Sequence, residues 1–167
     1  MAWTYELLRR LKDADVDFLI VGGVAAIVHG SARVTEDLDV FAPLDQSLAV
    51  RIIQVFQDVR PRWRMRPDFP IITPDSPHLV NIKNMYLRTD IGQLDVLGEL
   101  PGVGTFDELL PRATDVPFGG IVCPVIDLES LLKAKRIAGR EKDRSAIEEL
   151  EFLQQLKRRK ESGDTAI

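Results

Sequence analysis

Hydrophobic and polar positions along the chain alternate between two periods, and each period marks an element. Leu7, Leu8 and Leu11 recur at helical spacing among Arg9, Arg10 and Lys12, which predicts an amphipathic helix ending near Asp13. The run 16–21 is short, apolar and rich in β-branched residues, and with Gly22-Gly23 closing it reads as a buried strand. Ala25, Ala26 and Ile27 favour a short helix over 24–28, with Gly30 as a left-handed terminator after His29.

Between 35 and 42 the period changes to two. Acidic and apolar residues alternate, so Asp37 and Asp39 project from one face of a strand that Pro43 ends. A helical pattern returns over 48–56. Residues 60–77 hold five prolines and no sustained periodicity, which predicts a long irregular connection. Strands follow at 79–87 and at 93–97, the latter with Asp95 between Leu94 and Val96, before Pro101-Gly102 and Gly104 break the chain. A third apolar run at 121–126 leads to Asp127, a cap for a helix reaching about Ala138 and closed by Gly139. The last helix, about 143–160, places Ile147, Leu150, Leu153 and Leu156 on one face.

These elements predict an α/β (α+β) fold: a mixed sheet of four or five strands, helices on one side, and a C-terminal helical extension. A length of 167 residues with 45% hydrophobic content suits one domain over 1–167, with a core at about 1–125 and the extension at about 127–160.

Composition narrows the function. A net charge of −4 gives no bulk field for nucleic acid or anionic lipid, so a polyanion must be met locally. Arg60, Arg62, Arg64 and Arg66, and the tail Lys157 to Lys160, are the local basic runs; a solvated surface is the commoner use of both. One cysteine, Cys123, excludes an internal disulfide, and its apolar neighbours make it a small buried hydrophobe. No signal-like start and no apolar run of membrane length is present, which predicts a cytoplasmic protein without a membrane partner.

Two carboxylates on one strand face repel each other unless a cation neutralises them. Asp37 and Asp39 are therefore candidate ligands for Mg²⁺, or Mn²⁺ in its place, a type of ion commonly held by one or two carboxylates plus substrate phosphates. Asp95 on a neighbouring strand could complete a two-ion arrangement and stand nearest an attacking hydroxyl. Gly22-Gly23 would offer backbone amides to phosphate at a helix start. Singly, an Asp-Leu-Asp is common on half-exposed sheets and a Gly-Gly is usually a tight turn. Their order along the chain carries the inference.

The stretch Val21-Gly22-Gly23-Val24-Ala25-Ala26 through His29-Gly30, Arg33, Thr35 and Asp37-Leu38-Asp39 resembles the signature of minimal nucleotidyltransferases of the polymerase-beta superfamily, closest to the toxin-like branch related to AbiEii proteins. The likeness continues through Gln93 to Leu97 with Pro101-Gly102, and through Lys135, Ala138-Gly139-Arg140 and Lys142-Asp143. It implies a nucleotidyltransferase fold and Mg²⁺-dependent transfer of a nucleoside monophosphate from an NTP to a hydroxyl of RNA, protein or a small molecule. An antitoxin partner goes with the toxin branch. By the same likeness Asp37, Asp39 and Asp95 are the acids, Gly22 and Gly23 meet the triphosphate, and Lys135 reaches its phosphates. Ser31 and Arg33 lie in the loop before the acidic strand and contribute there, unless Arg33 instead braces Asp37; Thr35 is open to a backbone role. Relatives carry a second acid where this chain has Ala146, and Asp143 reads equally as a helix cap or a catalytic group. The competing class is a module that binds nucleotide or a partner without turnover; the three acids together weigh against it. His29 reads as lining the helix end near the site, since two histidines cannot build a zinc cluster. Trp63 and Phe69 are candidates to stack on a base or to anchor a loop.

Overall fold

The computed structural model describes residues 2–161; Met1, residues 162–167 and the side chains of Ala2, Lys142 and Glu161 lie outside the described part. The strands are β1 (Leu19–Val21), β2 (Asp37–Phe41), β3 (Arg62–Trp63), β4 (Asn84–Thr89), β5 (Gly92–Leu97), β6 (Thr114–Phe118) and β7 (Ile121–Val125). The helices are α1 (Ala2–Asp13), α2 (Gly22–Val28), α3 (Gln46–Val55), α4 (Phe106–Leu109), α5 (Leu128–Ala138) and α6 (Arg144–Glu161). All seven strands join one sheet in the order β3-β4-β5-β2-β1-β7-β6. It is mixed: β2 runs parallel to β5 and β1 parallel to β7, while β1–β2, β3–β4, β4–β5 and β6–β7 are antiparallel.

Alternation along the central strands divides two environments. Leu38 and Val40 of β2, Met85 and Leu87 of β4, and Leu94 and Val96 of β5 share one face and are all buried in the core. The stripe Leu7, Leu8 and Leu11 of α1 is fully buried, and α1 packs on β2 and β5 with α3 beside it. Truncating any of these leucines to alanine costs about 2–5 kcal/mol. The opposite face of β2, β4 and β5 carries Asp37, Asp39, Tyr86, Gln93 and Asp95, and it belongs to the site.

Local chemistry sets the helix ends. Asp45 accepts from the Leu48 amide at 2.7 Å to start α3, and Asp127 accepts from Ser130 at 2.9 Å to start α5. Gly139 closes α5 at φ +59°, as its position after the helical stripe predicts. Thr105 and Glu108 form a reciprocal capping box on α4.

The sheet is larger than four or five strands. β3 interrupts the proline-rich connection with two residues, and β6 is an exposed edge strand containing Pro117, so neither offers the buried alternation that marks a strand. The strand expected from 79 begins at Asn84, because Pro77–Leu79 forms a 3-10 turn. α6 rests on α5; its Leu150 is buried in the core, with Ile147 and Leu153 packed against it, while Leu156 is more than a third exposed. No helix among the described residues is long and apolar enough to cross a membrane.

Candidate active site

The site is built on a single row across the sheet. Val21 of β1 is the register partner of Asp39 on β2, Asp39 of Asp95 on β5, and Asp95 of Tyr86 on β4; the Arg64 amide, just past β3, donates to the Tyr86 carbonyl at 2.9 Å. Strand register thus brings residues from five segments into line. One carboxylate oxygen from each of Asp37, Asp39 and Asp95 lies within 4.8 Å of the others.

Gly22 and Gly23 are required by how close these acids come. Gly22 sits at φ +62°, and a Cβ there would stand 2.0 Å from Asp39 Oδ2. A Cβ on Gly23 would stand 2.4 Å from Thr35 Oγ1. The Gly23 amide donates to Asp39, and Thr35 donates to Asp37 Oδ1 at 2.9 Å. The turn and the threonine therefore fix two of the three carboxylates.

Burial and crowding leave the triad electrostatically frustrated. Burial first, then the charge of Asp39 and that of Asp37, pushes the Asp95 carboxyl up to about 7, against the pull of Arg64. Burial and Asp37 likewise raise Asp39, while the Gly23 amide, Arg64 and Lys135 draw it back. Arg64 supplies the counter-charge: Nη1 donates to Asp37 Oδ2 at 3.1 Å and to Gln93 Oε1 at 2.9 Å, and Nη2 donates to Asp95 Oδ2. Its guanidinium also stands 5.8 Å from the Tyr86 ring centre. Asp95 Oδ1 is buried with no hydrogen-bond partner among the described residues. An all-oxygen cluster with such an unfilled acceptor suits a hard divalent cation.

Around the triad opens a cleft of about 650 Å³, lined also by Gly22, Gly23, Arg33, Thr35, Tyr86, Lys135, Arg140, Asp143 and Ala146. Lys135 Nζ donates to Asp143 Oδ1 at 3.2 Å, with both side chains largely buried. Asp143 ends a 3-10 turn directly before α6, and its carboxylate anchors Lys135. Ala146 is buried at the cleft wall and brings no acid there.

Ser31 and Arg33 are turned toward α6. Ser31 donates to Glu149 Oε2 at 2.7 Å, the Ala32 amide donates to Glu149 Oε1 at 2.8 Å, and Arg33 engages Ser145 and approaches Glu149 at 3.6 Å. Arg33 lines the cleft, but the brace on Asp37 is Arg64. His29 is buried away from the cleft lining; its Nε2 lies 2.7 Å from the Ile126 carbonyl, and burial lowers its pKa. Trp63 and Phe69 line a separate cavity of about 240 Å³ with His78, where the Phe69 and His78 rings stand 5.3 Å apart. Cys123 is fully buried, and burial raises its thiol.

Tyr86 and Glu149 go unmarked in the sequence, Arg64 is marked only as part of a basic run, and Gln93 only as the start of the strand that carries Asp95. The spacing Arg60, Arg62, Arg64, Arg66 at a period of two is the signal that could have found Arg64, since it marks an extended segment with one basic face.

This sheet and its helices form the fold of known nucleotidyltransferases. The lincosamide antibiotic adenylyltransferase LnuA, solved with lincomycin, superposes with a TM-score of 0.60 at 17% identity, over 91% of this chain and 96% of that one. ANT(2'')-Ia, solved in complex with adenylyl-2''-tobramycin, gives 0.54 at 12% identity, over 95% and 97%. A Thermotoga maritima protein assigned as a nucleotidyltransferase gives 0.51 at 17% identity, over 87% and 88%. No family model and no curated protein matches the sequence.

Proposed function

We propose that the cleft transfers a nucleoside monophosphate from an NTP to a hydroxyl acceptor, with Mg²⁺, or Mn²⁺ in its place, held by Asp37, Asp39 and Asp95. The observation that carries this reading is the convergence of the three carboxylates within 4.8 Å beside the Gly22-Gly23 turn. The shared fold supports it.

When bound, the ion supplies charge neutralisation for the triphosphate and the leaving group. Asp95, in its ionised form, takes the proton of the acceptor hydroxyl. The acceptor oxygen bonds to the α-phosphorus as the bond to the α,β-bridging oxygen breaks, and pyrophosphate leaves. Lys135, steadied by Asp143, offers its ammonium to the triphosphate. The glycine turn lets Asp39 and Thr35 pack against its backbone at the cleft wall, and Arg33 there is a further cation for the triphosphate.

Among RNA, protein and small-molecule acceptors, we place a small molecule first. The cleft holds about 650 Å³, little more than a nucleotide and a compact acceptor require, and its wall includes Leu97, Leu100, Pro101, Val103 and Ile137. The fold neighbours solved with lincomycin and adenylyl-tobramycin support the same order. Turnover with RNA instead would assign the chemistry of a toxin and make a neutralising antitoxin the expected partner. The test is transfer from α-labelled NTPs to pooled small hydroxyl compounds, RNA and protein in parallel, with Asp95→Asn as control. Label appearing in one acceptor pool and lost in the control supports the reading. Absence of transfer to every pool, together with no metal-dependent NTP binding, contradicts it.

A further inference from the structure

Each of three cations lining the cleft has an acidic partner. Arg33 faces Glu149, Lys135 faces Asp143, and Arg64 faces the triad itself. Arg64 is three-quarters buried, and its guanidinium holds Asp37 Oδ2 and Asp95 Oδ2 together while Gln93 and Tyr86 position it. A hard divalent ion needs those carboxylates at about 2.1 Å. A second cation drawing on the same two carboxylates is repelled strongly by the guanidinium at such range in a half-buried site, even where it takes the free Asp95 Oδ1.

We propose that Arg64 is the resident counter-charge of the acid triad and that a divalent metal displaces it, so that this one arginine sets the metal affinity of the site. The proposal rests on the reading of Asp37, Asp39 and Asp95 as metal ligands. In the metal-free protein Arg64 relieves the repulsion of three adjacent acids, which would otherwise work against folding. It does so on a long stem from the end of β3, so the head can leave the triad without moving the strand. A purely structural brace would behave differently: removing it would disorder the acids and weaken metal binding.

The test is Mn²⁺ binding without nucleotide, followed by the electron paramagnetic resonance of the free ion, on the wild type, Arg64→Gln, Arg64→Lys and Asp37→Asn/Asp39→Asn. The expected result is at least about a tenfold tightening in Arg64→Gln, an intermediate value in Arg64→Lys, and loss of the site in the double variant. Equal or weaker binding by Arg64→Gln overturns the displacement while leaving the metal site intact. Wild-type behaviour indistinguishable from the double variant, with and without ATP, overturns the metal reading and the displacement together. Should Arg64→Gln fail to fold, the wild type decides by nuclear magnetic resonance. The Arg64 Nε–H signal, assigned by its absence in Arg64→Lys, moves to the position of a free arginine on saturation with Mg²⁺ if displacement occurs. An unmoved signal at saturation overturns the proposal.

Discussion

Asp39 and Asp95 are direct register partners on the parallel strands β2 and β5, so their carboxylates leave the sheet side by side. Nothing in strand pairing favours two like charges there; cross-strand acids destabilise a sheet. The arrangement costs stability, and the site is where that cost is placed.

Replacing Asp39 with asparagine tests that directly. The amide keeps an oxygen for the Gly23 amide but removes a charge that burial and Asp37 both disfavour. Asp39→Asn should raise the melting temperature of the metal-free protein by roughly 2–4 °C while abolishing the further rise that Mg²⁺ with NTP gives the wild type. Calorimetric melts with and without ligand read both effects.

The pH dependence follows from Asp95. Its carboxyl stands at about 7 against an ordinary value near 3.8, so the native state holds a proton that the unfolded chain has released. Its contribution to stability is fully present below the unfolded value and is lost as pH rises through about 7. Metal affinity runs the other way, because the ion competes with that proton. Mn²⁺ binding should tighten by about tenfold between pH 6 and pH 8, measured by titration at fixed ionic strength.

Gly22 tolerates no side chain. Alanine at φ +62° is strained, and its Cβ would fall 2.0 Å from Asp39 Oδ2, so Asp39 must leave its place. Gly22→Ala should cost about 1–3 kcal/mol in denaturant unfolding and lose metal-dependent nucleotide binding as well.

Glu149 ties the loop before β2 to α6 by accepting from Ser31 and the Ala32 amide. Glu149→Ala should speed hydrogen exchange at residues 31–35 selectively and leave the core strands unchanged. Uniform acceleration across the sheet would show that α6 stabilises the fold rather than the loop.

Much of this was legible because local patterns and long-range placement agree. Period-two alternation put Asp37 and Asp39 on one face, and Asp127 and Gly139 announced α5 at both ends. Asp95 was readable as a strand acid, although its pairing with Asp39 depends on register. Arg64 was hidden for a different reason. It enters the site from a proline-rich connection whose period-two arginines do not tell which of them reaches the acids, and only the edge pairing of β3 with β4 delivers it. The same holds for Glu149, whose partners lie more than a hundred residues away in sequence.

Calorimetric titration of ATP and the other NTPs into the wild type and Asp37→Asn/Asp39→Asn, with and without Mg²⁺, tests the central claim most directly. The account predicts binding by the wild type that depends on Mg²⁺ and disappears in the double variant. Nucleotide binding of equal strength in both proteins without metal would contradict it.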